Sequence, residues 1–367
     1  MTSNSWRGRA ASSHSSSRMP DPGTRFHRAF RPALGFLLCA GLVCDAAAHR
    51  GTAFAETLIV LNKGEASAWL VDPTSGEVRA KLAVGQGPHE AAVSPDGKTV
   101  VVCNYGLGGV PGSTLSVIDL PSRRVTRTIS LAPHARPHGI AYGSGGAEVF
   151  VTSETSRAIL RVNVAAGKVV AAHDAGVDAH LLALSEDGAR VYGAGVRQGA
   201  LGEARLRGSG GASAGPRVLS TGAGTEAIAI RPGGGEIWVG SNDLDRIAVV
   251  DPKSFRIVAE IPCGLTPIRL AFTPDGKRAL ATCAVSGDLA VIDATRRAIE
   301  RRIPLSDVPL REGARPIGVL VAPDAREAYV ACNARDEVAV VDLGTWSIVR
   351  RIPTGRAPDG MAWSVLN

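Results

Sequence analysis

A chain of 367 residues with 43 glycines, 22 prolines and 4% aromatic residues reads as short strands joined by tight turns, with almost no helical periodicity. Its net charge of +7 sits mostly at the N-terminus, where residues 1–55 carry seven Arg against Asp21 and Asp45, a net of +5 that leaves +2 for the remainder. No basic stripe exists in that remainder, so no nucleic-acid partner is expected.

In chain order the first segment is a leader. Arg25, Arg28 and Arg31 precede the apolar run from Ala33 to Cys44, and Ala53-Phe54-Ala55 forms a small-residue cleavage site before Glu56. That is the order of a secretory signal peptide; Met19 is an alternative start and Ala46-Ala47-Ala48 an alternative cleavage site. The apolar run ends at Asp45, short of the roughly 20 residues a membrane span needs. Cys39 and Cys44 follow Leu38 and Val43 rather than small residues, which argues against lipoprotein processing. Residues 56–367 are therefore expected as a periplasmic or secreted monomer with no transmembrane segment.

A phrase then returns about every 44 residues, a period typical of propeller blades. Ser94-Pro95-Asp96-Gly97, Thr273-Pro274-Asp275-Gly276 and Ala322-Pro323-Asp324 are one half of it. Val71-Asp72, Ile118-Asp119, Val250-Asp251, Ile292-Asp293 and Val341-Asp342 are the other. Each unit holds four strand-like runs, which we call a to d from inside to outside. Inner strands are predicted to start at His89, His138, His180, Glu226, Ile268 and Ile317. The third unit is degenerate, with a weak outer pair and a glycine-rich loop at 208–215. A lone strand a near Asp359 ends the chain, and its three missing partners are Leu58–Asn62, Ala68–Asp72 and Val78–Leu82 at the other end. The sequence thus predicts an all-β, seven-bladed β-propeller with its ring closed by the C-terminal strand. The recurrent Asp and Gly are read as turn residues. Cys103, Cys283 and Cys332 end the same repeat strand in different blades, positions usually too far apart to bridge, and with Cys263 the four are read as buried free thiols.

Pro88-His89-Glu90-Ala91-Ala92-Val93-Ser94-Pro95-Asp96-Gly97 and Pro316-Ile317-Gly318-Val319 resemble the repeats of YVTN-type seven-bladed β-propellers of exported bacterial proteins. The resemblance covers residues 56–367 apart from the third unit. It implies the fold but little about activity, since related propellers include binding scaffolds, lactonases, lyases and redox enzymes.

The first residue of each predicted inner strand faces the channel mouth. Around the ring that position reads Asp359, His89, His138, His180, Glu226, Ile268 and Ile317, and it takes three of the five histidines beyond residue 55. Neutral imidazoles converging on one locus suit a divalent transition metal such as Zn, Cu or Fe. The b–c loops bring Asn104, Tyr105, Glu154 and Asn242 to the same face, and Arg269 stands opposite the histidines for an anionic group. Glu154 and Glu90 are the proton-carrying candidates, although alternation along the strand predicts that Glu90 points away from His89. The segments 106–112, 132–136 and 305–315 lengthen loops on this face, with His134 and Arg136 as rim residues. No haem-attachment motif, P-loop, nucleophile elbow or dinucleotide fingerprint occurs. The leading expectation is an exported binding propeller for a small ligand, metal or envelope protein. The alternatives are a metal-assisted, lactonase-like hydrolase or lyase using His89, His138 and His180, and a pure protein-interaction scaffold.

Overall fold

The computed structural model describes residues 56–206, 215–233, 235–308 and 313–366. The leader and most of the glycine-rich loop of the third unit lie outside the described residues. Seven four-stranded antiparallel sheets are present among those described. The first blade is Pro88–Val93, Thr99–Leu107, Val110–Asp119 and Arg124–Ser130. In the seventh, Pro358–Ser364 joins Thr57–Asn62, Ser67–Val71 and Val78–Ala83, so the two ends of the chain share one sheet. Each inner strand packs on the next and the last packs on the first, which closes the ring.

Period-two alternation explains how blades adhere. In the second strand of blade one, Val101 and Cys103 pack with Val149 and Val151 of blade two, while Val100 and Val102 pack with Ile59 and Leu61 of blade seven. The middle strands are thus apolar on both faces, the pattern of a sheet covered on both sides. The same arrangement gives seven apolar clusters, one at each blade–blade interface. Full burial of each such Val, Leu or Ile contributes about 1.5–3 kcal/mol. Outer strands alternate exposed and half-buried residues, as in Ser347–Pro353. The third blade, degenerate in sequence, is regular: Ala200–Arg205 pairs with Arg217–Ser220.

Turn chemistry follows the repeat. Asp96 accepts hydrogen bonds from the Ser94 hydroxyl and the Lys98 N–H, and Gly97 takes a φ of +72° that suits glycine. Asp72, Asp119, Asp251, Asp293 and Asp342 accept N–H bonds from the c–d turns they open. The segment 106–112, expected as a loop, is instead a ribbon. Gly106 pairs with Pro111 and Leu107 with Val110 across a Gly108-Gly109 turn, because Gly108 supplies the positive φ of +61° that a two-residue hairpin requires.

The inner strands carry the feature that shapes the site. In all seven, pairing with strand b slips directly after the first pair, for example between Pro88 and Ala91. Such a bulge leaves an unpaired extra residue and re-aims side chains. It falls at the channel mouth.

Candidate functional site at the channel mouth

Two rings of residues build the mouth. The first is the second residue of each inner strand: Asp359, His89, His138, His180, Glu226, Ile268 and Ile317. The second is the residue that follows strand b in six blades, Lys63, Glu154, Val196, Asn242, Ala284 and Asn333, together with the equivalent Tyr105, which lies inside the longer strand Thr99–Leu107 of blade one. Blades seven and one to four each contribute at least one polar member, blade six contributes only Asn333 beside Ile317, and blade five, with Ile268 and Ala284, contributes none. The site is therefore off-axis.

The three histidines meet. Ring centroids are 4.8 Å apart for His89 and His138 and 3.6 Å for His138 and His180. Tyr105 lies 4.6 Å from His89 and 5.4 Å from His138, with the Arg136 guanidinium 5.0 Å from the centre of its ring. Tyr105 Oη donates to Glu154 Oε2 at 2.8 Å. The other Glu154 oxygen binds His180 Nδ1, and His180 Nε2 lies 3.5 Å from Glu226 Oε1. Asn242 donates to Glu226 Oε2, and Arg269 Nη1 reaches Glu226 Oε1 at 3.2 Å.

Glu90 does not point away from His89. Arg269 donates to Glu90 Oε1 through Nε at 2.9 Å and Nη2 at 2.7 Å, across 179 residues of sequence. The inner-strand bulge cancels the alternation there, so consecutive residues both reach the channel. Arg269 also lies 3.8 Å from Asp359, which takes Lys63 Nζ at 2.7 Å. Glu90 and Arg269 occupy the third place of their strands, where blades two, six and seven hold Gly139, Gly318 and Gly360 and blades three and four hold Leu181 and Ala227. Glycine is needed where inner strands touch: a Cβ on Gly360 would lie 2.0 Å from His89 O, and one on Gly318 would lie 2.2 Å from Asp359 O. Blades one and five replace that glycine with two opposite charges that find each other.

Electrostatics separates the imidazoles. Burial pushes His89 down to about 4 despite the Asp359 charge. His138, buried between the other two, is also held well below the usual histidine value. For His180, burial acts downward but hydrogen bonds and charge from Glu154 and Glu226 outweigh it, and its pKa rises to about 9. Burial would raise Glu226, yet His180, Arg269 and Asn242 bring it to about 2. Burial raises Glu90 by more than Arg269 lowers it. At neutral pH the site holds one imidazolium locked between carboxylates and two neutral imidazoles beside it.

This arrangement bears on each residue singled out in the sequence. His180 has no lone pair to offer, and among the described residues no group of three His, Cys, Asp or Glu is placed to hold a metal ion. Glu154 and Glu90 are both tied up, the first by His180 and Tyr105 and the second by Arg269. Asn104 stays within its own blade, donating to Thr114 and Ser116 at 3.0 Å. His134 contacts Ser156 on the rim. Lys63 escaped the sequence reading, although it occupies the repeat position of Tyr105, Glu154 and Asn242. Polar groups remain open at the mouth, Asn242 Oδ1 among them. His89 Nδ1 donates to Gly87 O at 2.7 Å, which fixes Nε2 as the acceptor, and the buried His138 Nδ1 has no hydrogen-bond partner.

A groove of about 570 Å³ lies on the opposite face between blades one and two, lined by the turn residues Ser94 and Asp96 and by the strand residue Tyr142, among others. Ser94 and Asp96 already bond to each other there, so the chemistry belongs to the mouth.

No model of a known protein family matches the chain, and no curated protein matches it in sequence. Solved structures match the fold. The periplasmic gluconolactonase PpgL of Pseudomonas aeruginosa is 16% identical with a TM-score of 0.66, covering 85% of this chain and 99% of that one. Hydrazine synthase of Kuenenia stuttgartiensis is 19% identical with a TM-score of 0.63, covering 75% and 88%. Apo AztD from Citrobacter koseri is 14% identical with a TM-score of 0.58, covering 84% and 97%. Identities this low establish the seven-bladed propeller alone, and no family model bears out the YVTN repeat itself. No helix among the described residues is long and apolar enough to cross a membrane.

Proposed function

We propose that this chain is an exported propeller that binds a small hydroxylated acid at the channel mouth, through His89, His138, Tyr105 and Arg136. The observation that carries the reading is the buried His138 Nδ1 without a partner, next to an imidazole whose free nitrogen is oriented by Gly87 O. Leaving a buried polar atom unmade costs about 1–3 kcal/mol, which a ligand hydroxyl would return. The Tyr105 face offers stacking area, and Arg136 supplies positive charge for a carboxylate. Export rests on the leader, and the similar fold of the periplasmic PpgL is in keeping with it.

Lactone hydrolysis is the second reading, suggested by the fold shared with a gluconolactonase and by the oriented His89 tautomer. It ranks lower because a base with a pKa of about 4 is weak at neutral pH, and both carboxylates proposed as proton carriers are engaged. A metal would find two imidazoles rather than three.

Calorimetric titration with gluconate, glucono-lactone and zinc chloride separates these readings. Saturable gluconate binding that weakens at least tenfold in His138→Ala, and not in the rim variant His134→Ala, is expected. Turnover of the lactone would favour hydrolysis. Stoichiometric zinc uptake, or no binding of any probe, would refute the acid-binding site.

A further inference from the structure

Two cysteines that repeat arithmetic kept apart lie together. Cys263 Sγ is 3.6 Å from Cys283 Sγ. Cys263 follows the outer strand Arg256–Pro262 of blade four, and Cys283 ends the second strand, Arg278–Cys283, of blade five. The expectation of four isolated thiols rested on Cys103, Cys283 and Cys332 sharing one repeat position; Cys263 lies outside that position, in the d–a connection, and the connection brings it to the next blade. Gly264 makes this possible, since a Cβ there would lie 2.7 Å from Cys283 Sγ and 1.7 Å from Arg302 Nη2.

We infer that Cys263 and Cys283 are a modification site, a dithiol that closes to a disulfide linking the fourth and fifth blades. Bond formation needs the sulfurs to approach from 3.6 Å to about 2.05 Å, a movement that side-chain rotation supplies. Cys263 is the half-exposed partner and the entry point, whereas Cys283 is buried. The Cys263 thiol is also the more acidic: the Cys283 hydrogen bond lowers it most, burial opposes, and the Gly264 N–H and Arg302 charge assist. The Arg302 guanidinium is held there by Asp288, at 2.8 and 3.1 Å. A thiolate in an electropositive, partly exposed setting is the reactive form.

The oxidant is a second disulfide, as small as glutathione disulfide. Cys263 thiolate attacks its S–S bond, forming a mixed disulfide and releasing one glutathione thiolate. Cys283 gives up its proton, its sulfur attacks Cys263 Sγ, and the second glutathione leaves as thiolate. Two protein thiols are oxidised, one disulfide is reduced, and the two protons from the cysteines end on the two glutathiones.

The test is mapping of the full chain, equilibrated with glutathione disulfide, then denatured in acid, alkylated and digested with trypsin. We expect peptide 257–269 cross-linked to peptide 279–296, about 2 Da lighter than the two reduced peptides together, with Cys103 and Cys332 alkylated. Reduction should lower the melting temperature of the wild type and leave Cys263→Ala unchanged. Alkylation of both Cys263 and Cys283 in the oxidised wild type, or a cross-link through Cys103 or Cys332 instead, would overturn the assignment. The wild-type map decides the matter even where a variant folds poorly.

Discussion

Arg269→Met removes the cation that holds three acids at the axis. Arg269 is 8% exposed. It bonds Glu90 at 2.7 Å and Glu226 at 3.2 Å, and lies 3.8 Å from Asp359. Without it these carboxylates stay buried with only Lys63 and His180 to offset them. Breaking a buried pair by removing one partner costs about 3–5 kcal/mol. Unfolding entropy near 2.1 cal/mol/K per residue over roughly 310 residues gives ~0.65 kcal/mol/K, so the loss appears as a fall of roughly 5–8 °C in melting temperature. Differential scanning calorimetry reads it, and a double-mutant cycle isolates the cause. Glu90→Gln in the Arg269→Met background should restore part of the loss, because the orphaned charge is gone. A fall below about 2 °C, or no recovery in the double variant, would show that the channel charges are hydrated and independent, and the argument for a desolvated cross-channel pair would be lost.

The histidines predict opposite limbs of a stability–pH curve. His180 has its pKa raised from 6.5 to about 9, so its contribution is complete below pH 6.5 and disappears as pH rises to 9; His180→Gln should flatten that limb in urea melts. His89 is lowered from 6.5 to about 4, so the unfolded chain takes up its proton first, stability falls between pH 6.5 and 4, and His89→Asn should make that slope shallower, leaving the part that His138 contributes. Limbs unchanged in these variants would contradict the assigned protonation states. Gly360→Ala places a Cβ 2.0 Å from His89 O, and the forced shift of an inner strand should cost about 1–3 kcal/mol. It should weaken gluconate binding as well, by moving His89; a variant with wild-type melting temperature and affinity would contradict the tight inner-strand contact.

The fold was legible because one phrase, hydrophobic–Pro-Asp-Gly, encodes a turn whose Asp and Gly each have a mechanical task, as Asp96 and Gly97 show. Closure was legible because a lone final strand and three initial strands add to one sheet. The convergence of His89, His138 and His180 followed from the repeat register. What the sequence hid was the bulge. Alternation alone sends Glu90 outward, and nothing in a two-residue period announces the slipped pair that turns it inward. The protonation of His180 was hidden for a related reason: it depends on Glu154 and Glu226 arriving from neighbouring blades at hydrogen-bonding distance. Lys63 was readable in principle, since its register matches Tyr105, but its blade is split between the chain ends. Cys263 lies in a connection rather than in a repeat, so counting positions said nothing about its neighbours.

The shared last sheet has one more consequence. Thr57 and Ser364 face each other as paired residues on adjacent strands, so the first and last strands of the ring begin and end side by side. A short linker between them would make the ring covalently endless, and a new opening cut at an exposed turn such as Gly145 would leave every sheet with its four strands. The order in which the blades are written is therefore a property of the polypeptide and not of the circle it forms.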